Sequence, residues 1–227
     1  THCISSAASD VYKRQDDKDK AETIFKKVIQ LDPKNPYAHK DLGVVYLSQR
    51  LFDYAKEEFE TAYKMAPEDS AVVFEMANFY HAMNDFQKAK ELYEKAFKLA
   101  PEVMDIAVFR AINYLRLNEI DTALELFLEA MKKYPSQHII LFNIGLIYYQ
   151  KGNFDAAKEF LSDAYSLYQD PETMNALAMT FYELKEYENS KNLAHKLIEQ
   201  FPDNINLLLL LAKSYIELGL SLIHISE

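Results

Sequence analysis

The sequence predicts an all-α fold, a solenoid of antiparallel helix hairpins stacked one on the next, and three observations carry that prediction. Four prolines, Pro33, Pro67, Pro101 and Pro135, stand 34 residues apart. Between them, residues of one chemical type return at the same period. Within each period, apolar residues recur at three- and four-residue steps in two stretches, for example Leu42, Val45 and Tyr46, then Ala55, Phe59 and Ala62. That spacing is the stripe of an amphipathic helix. A fixed period of this length marks a chain built from one small unit that buries its apolar face only against its neighbours. Function is therefore sought on the surface the array presents.

Both ends of the chain read differently from the rest. Residues 10–15 are DVYKRQ and residues 220–225 are LSLIHI. One DNA string, GATGTGTATAAGAGACAG, translates to the first, and its reverse complement translates to the second. The string resembles the end of a transposon-type sequencing adapter, so residues 1–15 and 220–227 are set aside as adapter-derived tails. The natural segment is then expected to run from Asp16 to Gly219 as a fragment open at both ends.

Taking proline as position 32 places the units in order: a half unit at 16–35, full units at 36–69, 70–103, 104–137, 138–170 and 171–204, and a half unit at 205–219. The columns are chemically uniform. Position 8 holds Gly43, Ala77, Ala111, Gly145, Ala178 and Ala212; position 11 holds Tyr46, Tyr80, Tyr114, Tyr148, Phe181 and Tyr215. Position 20 holds Ala21, Ala55, Ala89, Ala123, Ala157 and Ser190. Position 24 holds Phe25, Phe59, Tyr93, Phe127, Leu161 and Ala194, and position 27 holds Val28, Ala62, Ala96, Ala130, Ala164 and Leu197. These columns resemble the tetratricopeptide repeat (TPR), with small residues at 8, 20 and 27 and large ones at 7, 11 and 24. The resemblance covers essentially all of 16–219 and implies a right-handed superhelical array.

The elements follow in chain order. Asn35, Asp69, Asp170 and Asn204 stand where the first helices of their units begin and suit an N-cap, whose side chain accepts from the first free N–H groups. The second helix of each unit ends before the proline at position 32, which cannot continue it. Small residues at 8, 20 and 27 let backbones approach, and large side chains fill the space beside them. Glu22 with Lys26, Glu60 with Lys64, Glu91 with Lys95 and Glu94 with Lys98 are spaced for ion pairs along a solvated outer face. Arg110, at position 7 of the unit 104–137, is an anomaly and is expected to reach water or a carboxylate such as Asp105. In the unit 171–204 the large residue moves from position 24 to position 27, roughly preserving volume.

Composition excludes several functions. The chain carries a net charge of -10, unchanged when the tails are removed, and has no basic tract, which argues against nucleic acid and anionic membranes as partners. Its one cysteine, Cys3, lies in a tail, so no disulfide framework or thiolate chemistry is expected. That agrees with a cytoplasmic location, and equally with a bacterial periplasm. The longest aliphatic run, Leu207 to Leu211, is far short of the roughly 20 residues of a membrane helix. His39, His81, His138 and His195 stand at unrelated positions in different units, and no metal, phosphate-loop or catalytic spacing is present. Neither a catalytic residue nor a cofactor is expected.

The resemblance implies that first helices line the concave face and that their positions 2, 5, 9 and 12 meet a ligand. Carried over residue by residue, these are Tyr37 and Lys40; Phe74, Asn78 and His81; and Val108, Ile112 and Leu115. They continue with Phe142, Leu146 and Tyr149, then Asn175, Met179 and Tyr182. The middle of this strip is apolar and aromatic, as in a surface that binds something along its length. The lysine and asparagine clamp by which some members hold a terminal carboxylate is absent: only Lys40 matches, with Val44 where asparagine is needed. The asparagine ladder of sugar-transferring members is missing too, although some bacterial glycosyltransferases carry arrays without it. The expected function is thus a non-catalytic adaptor holding an amphipathic or extended hydrophobic peptide. The alternatives are the substrate-recruiting arm of a larger enzyme and a structural spacer that stacks on itself. The oligomeric state is not legible in these residues.

Overall fold

The structure, a computed structural model, describes the backbone of residues 2–225 and the side chains of residues 17–219. The segments read as adapter-derived, 1–15 and 220–227, lie outside the residues whose side chains are described. Every element among the described residues is a helix: α1 His2–Leu31, α2 Pro36–Ser48, α3 Phe52–Met65, α4 Ser70–Ala82, α5 Phe86–Leu99 and α6 Met104–Arg116, then α7 Ile120–Lys133, α8 His138–Gln150, α9 Phe154–Leu167, α10 Pro171–Glu183, α11 Tyr187–Gln200 and α12 Ile205–Ile225. The chain divides into two compact bodies, one ending at Glu119 and one beginning at Ile120. The division falls inside the unit 104–137, between its first helix α6 and its second helix α7. The first body packs the hairpins α2–α3 and α4–α5 with α1 and α6; the second packs α8–α9 and α10–α11 with α7 and α12.

The columns of small and large residues become the core. Ala55, Ala89, Ala123, Ala157 and Ser190 at position 20 are completely buried, as are the small residues at positions 8 and 27 of most hairpins. Position 8 faces position 24 across each hairpin, which explains the two helical glycines. A Cβ on Gly43 would stand 2.9 Å from the Phe59 ring, and one on Gly145 would stand 2.6 Å from Cγ of Leu161. Fully buried Phe59, Tyr93, Phe127 and Leu161 fill the space that the small residues leave. The unit 171–204 keeps the same volume in another arrangement, with Ala194 and Leu197 both buried.

The ends of the helices obey local chemistry. Asn35, Asp69 and Asp170 each accept from two backbone N–H groups at the starts of α2, α4 and α10. Asn204 does the same for Asn206 and Leu207. The second helices α3, α5, α7 and α11 stop two residues before Pro67, Pro101, Pro135 and Pro202. Between the helices of every unit, position 15 adopts a left-handed backbone: Arg50, Asn84, Asn118, Gly152 and Lys185 have φ between 60° and 74°. The next N–H reaches back to the carbonyl of the ring at position 11, as from Leu51 to Tyr46 at 2.9 Å and from Glu186 to Phe181 at 2.8 Å. These two features make the turn a Schellman motif, which satisfies carbonyls that the helix end would leave bare.

Two charge expectations are corrected. Arg110 does find a carboxylate, but it is Glu94 on α5, at 2.7 Å from Nε, and not Asp105. Its guanidinium also lies 4.3 Å over the Phe97 ring. Position 7 faces the neighbouring hairpin, so the arginine meets an acid there, whereas Asp105 is exposed in the first turn of its own helix. Of the four pairs expected along the second helices, only Glu22–Lys26 closes among the described residues, at 2.7 Å. Lys95 instead joins Glu68 at 2.8 Å, and Glu94 takes Arg110. Those charges bind one hairpin to the next.

Candidate functional site

In the first body, most of the polar candidates are held by neighbouring helices. The Tyr37 hydroxyl donates to Asp69 at 2.6 Å, and Lys40 pairs with Asp41 at 2.8 Å. Asn78 accepts from the Tyr93 hydroxyl at 2.7 Å and donates to Glu75 at 3.2 Å. The Nδ1 of His81 lies 2.9 Å from the carbonyl oxygen of Asn113, whose amide donates to the Phe86 carbonyl at 2.9 Å. Because that amide is the donor, its oxygen must accept, so the His81 ring carries its proton on Nδ1. Asn113 is completely buried, and both polar atoms of its side chain have a partner. Phe74 is half-buried, with its ring edge-on to Phe109 at 5.7 Å. Ile112 and Leu115 are half-buried. Val108 is only 2% exposed and belongs to the core rather than to a ligand-facing surface. At the same position 5 the longer side chains of Lys40 and Phe74 stay half-buried, whereas the shorter valine is covered.

In the second body, the candidates lie along α8 and α10 and line hollows. Phe142, Leu146, Tyr149, Asn175 and Met179 surround a hollow of 380 Å³ with Glu172 at its lip. Tyr149, Asn175, Met179 and Tyr182 also line a second, of 300 Å³, whose far wall is Asn206, Leu209 and Lys213 on α12. A third, of 590 Å³, opens beside Phe142 at the N-terminal ends of α8 and α10. Its walls include His138, Tyr168, Asp170, Glu172 and Phe201. The three share lining residues and form one strip. Asn206, Leu209 and Lys213 were legible by the same rule, as positions 2, 5 and 9 of the half unit 205–219. Tyr168 and Phe201 were not, since they follow the second helices α9 and α11.

Local electrostatics follow from these contacts. Burial pushes the Tyr149 hydroxyl upward, and the nearby charge of Glu183 adds to it. Burial also works to raise the Asp170 carboxyl, but the Thr173 hydroxyl and N–H and the charge of His138 outweigh it and hold the group below its ordinary value. His138 bridges Asp170 and Thr173 through Nε2, at 2.8 Å to each. Among the described residues, no cluster of three or more histidine, cysteine or acidic side chains is placed to hold a metal, and no helix is long and apolar enough to cross a membrane.

Comparison with known proteins places this geometry in a family. Profiles of the tetratricopeptide repeat match residues 6–35, 49–112, 110–172 and 176–204. No curated protein matches the chain in sequence. Among solved structures, it is similar to a chain of the APC/C hetero-tetramer Cut9–Hcn1, with a TM-score of 0.76 and 17% identity over 89% of this chain and 40% of that one. It thus spans less than half of that protein's length. It is similar to PilF of Pseudomonas aeruginosa, with a TM-score of 0.78 and 16% identity over 89% of this chain and 92% of that one. It also resembles YrrB, described as a TPR protein with an unusual peptide-binding site, with a TM-score of 0.62 and 17% identity over 81% and 95% of the two chains. At such identities the likeness is one of fold. Repeat period, core columns, hairpin geometry and four profile matches agree, and this chain belongs to the tetratricopeptide repeat family.

Proposed function

We propose that the protein is a non-catalytic adaptor that holds an amphipathic or extended apolar peptide against the first helices of its hairpins. The observation that carries this reading is the continuous strip of three hollows on α8, α10 and α12, walled by Phe142, Leu146, Tyr149 and Met179. Aromatic and thioether side chains that are half-exposed in a hollow gain most when a partner's apolar side chains remove the remaining water, and such anchors dominate interface energies. The helices beneath them are held by their buried faces, and α10 and α12 also by the side-chain caps Asp170 and Asn204, so little ordering is required on binding. The first body supports a lesser role in capture, since Asn78 and His81 already satisfy their hydrogen bonds within the fold.

The test is a fluorescein-labelled amphipathic peptide titrated by anisotropy against the whole chain. Phe142→Ala and Tyr149→Ala are each expected to weaken binding about tenfold, the equivalent of ~1.4 kcal/mol. Circular dichroism should show both variants folded. Folded variants that bind as tightly as the parent would remove the groove assignment.

A further inference from the structure

Resting on the adaptor reading, we infer that the peptide held by the second body is basic as well as apolar, and that a lysine or arginine of it enters the 590 Å³ hollow. That hollow is walled by rings: His138 is stacked on Phe142 at 5.9 Å and 8°, and Tyr168 stands edge-on to His138 at 5.6 Å. Phe201 closes another side, and the charged groups on the walls besides His138 are Asp170 and Glu172, with no lysine or arginine. Ring faces attract a cation, and a carboxylate beside them adds a charge-assisted hydrogen bond. An acidic side chain placed there would meet both carboxylates at close range.

The two acids have different duties. Asp170 caps α10 and is engaged by His138 and Thr173, so its charge is already partly answered. Glu172 is exposed and makes no ion pair among the described residues, and it also lines the neighbouring hollow of 380 Å³, where it is the single charged wall residue. The N-terminus of α10 works against a cation, but with only about half an elementary charge, spread over its first turn. Farther along the strip, the 300 Å³ hollow carries one acid and one base, Glu183 and Lys213, so the excess of acid lies at the end of the strip around Asp170 and Glu172. The net charge of -10 gives the surrounding field the same sign and speeds the approach of a basic partner. An apolar peptide with a cation near one end is the occupant whose charge complements this strip.

Three fluorescein-labelled peptides of one apolar pattern, carrying arginine, glutamine or glutamate at the intervening positions, would be titrated against the whole chain at low and physiological ionic strength. The expected order of affinity is arginine, glutamine, glutamate, with the spread narrowing as salt rises. Glu172→Gln should weaken the arginine peptide roughly threefold and the glutamine peptide less, so that the gap between the two narrows. Glu129→Gln, an exposed acid on α7 outside the strip, should change neither. Equal binding of all three peptides, or equal losses from Glu172→Gln and Glu129→Gln, overturns the basic preference; the adaptor reading then stands if Phe142→Ala still weakens binding. Binding of none of the three peptides overturns both.

Discussion

Position 15 of the repeat shows how far backbone geometry can outrun side-chain identity. Arginine, asparagine, asparagine, glycine and lysine occupy it, yet all adopt the left-handed conformation at the hairpin turn. A Cβ is strained there, by about 1 kcal/mol for a residue that cannot bond to its own backbone, and glycine is not. Lys185→Gly is therefore expected to raise the unfolding free energy by about 1 kcal/mol in urea titrations, and Gly152→Ala to lower it by a similar amount. A loss of stability in the first variant would contradict the turn. Arg110 makes the opposite point, because its identity matters more than its backbone. Its side chain is 15% exposed and joined to Glu94, which also accepts from the Tyr114 hydroxyl at 2.9 Å. Glu94→Gln should cost roughly 1–3 kcal/mol by leaving the guanidinium without its counter-charge. Adding Arg110→Met should restore part of that loss, which a double-mutant cycle would measure.

Helices here are fixed by caps at their ends and by matched volumes along their sides. The Tyr37 hydroxyl and the backbone N–H groups of α4 hold Asp69 below its ordinary value of 3.8 against the upward pull of its burial, and Asp170 is lowered likewise. A lowered folded value means that the unfolded chain binds the proton more readily. The stabilisation is thus complete above about pH 4 and is lost as pH falls through the lower folded values. Asp170→Asn keeps a capping side chain and removes this titration, so the fall in melting temperature below pH 4 should become shallower. Along the helix sides, Ala89 is completely buried in its hairpin. Ala89→Leu should cost roughly 1–3 kcal/mol by overpacking. Gly145→Ala should destabilise as well, since its Cβ would collide with the branched Leu161 side chain and the backbone beneath it.

In the whole molecule, stability is a sum of hairpins and their nearest-neighbour contacts rather than one shared core. Two compact bodies divided between Glu119 and Ile120 sharpen that expectation. Ala89→Leu should speed amide hydrogen exchange in α2 to α6 and leave the slow amides of α8 to α11 unchanged. Faster exchange throughout would mean that the two bodies open as one. The bodies also differ in what their first helices offer: on α4 of the first, Asn78 and His81 at positions 9 and 12 bond inward, while in the second Leu146, Tyr149, Met179 and Tyr182 at these positions wall open hollows. Binding assays on groove variants should accordingly be most sensitive in the second body.

The sequence by itself determined the helical hairpin, its period, its capping residues and its core columns. All of these depend on short-range spacing or on residue size repeated at fixed positions, and Ala55, Phe59 and Asn35 stand where that spacing puts them. Tertiary structure decided the rest. The common turn conformation at position 15 was hidden because its residues share no chemistry, only a backbone geometry imposed by the hairpin. Val108 was read as ligand-facing from its register, but its short side chain is covered at a position where the longer ones of Lys40 and Phe74 stay half-buried. The partner of Arg110 and the ring-walled hollow around His138 required residues from different helices to meet. Which charges and rings share a surface is set by packing between hairpins, and that packing is not written in the order of residues within any one of them.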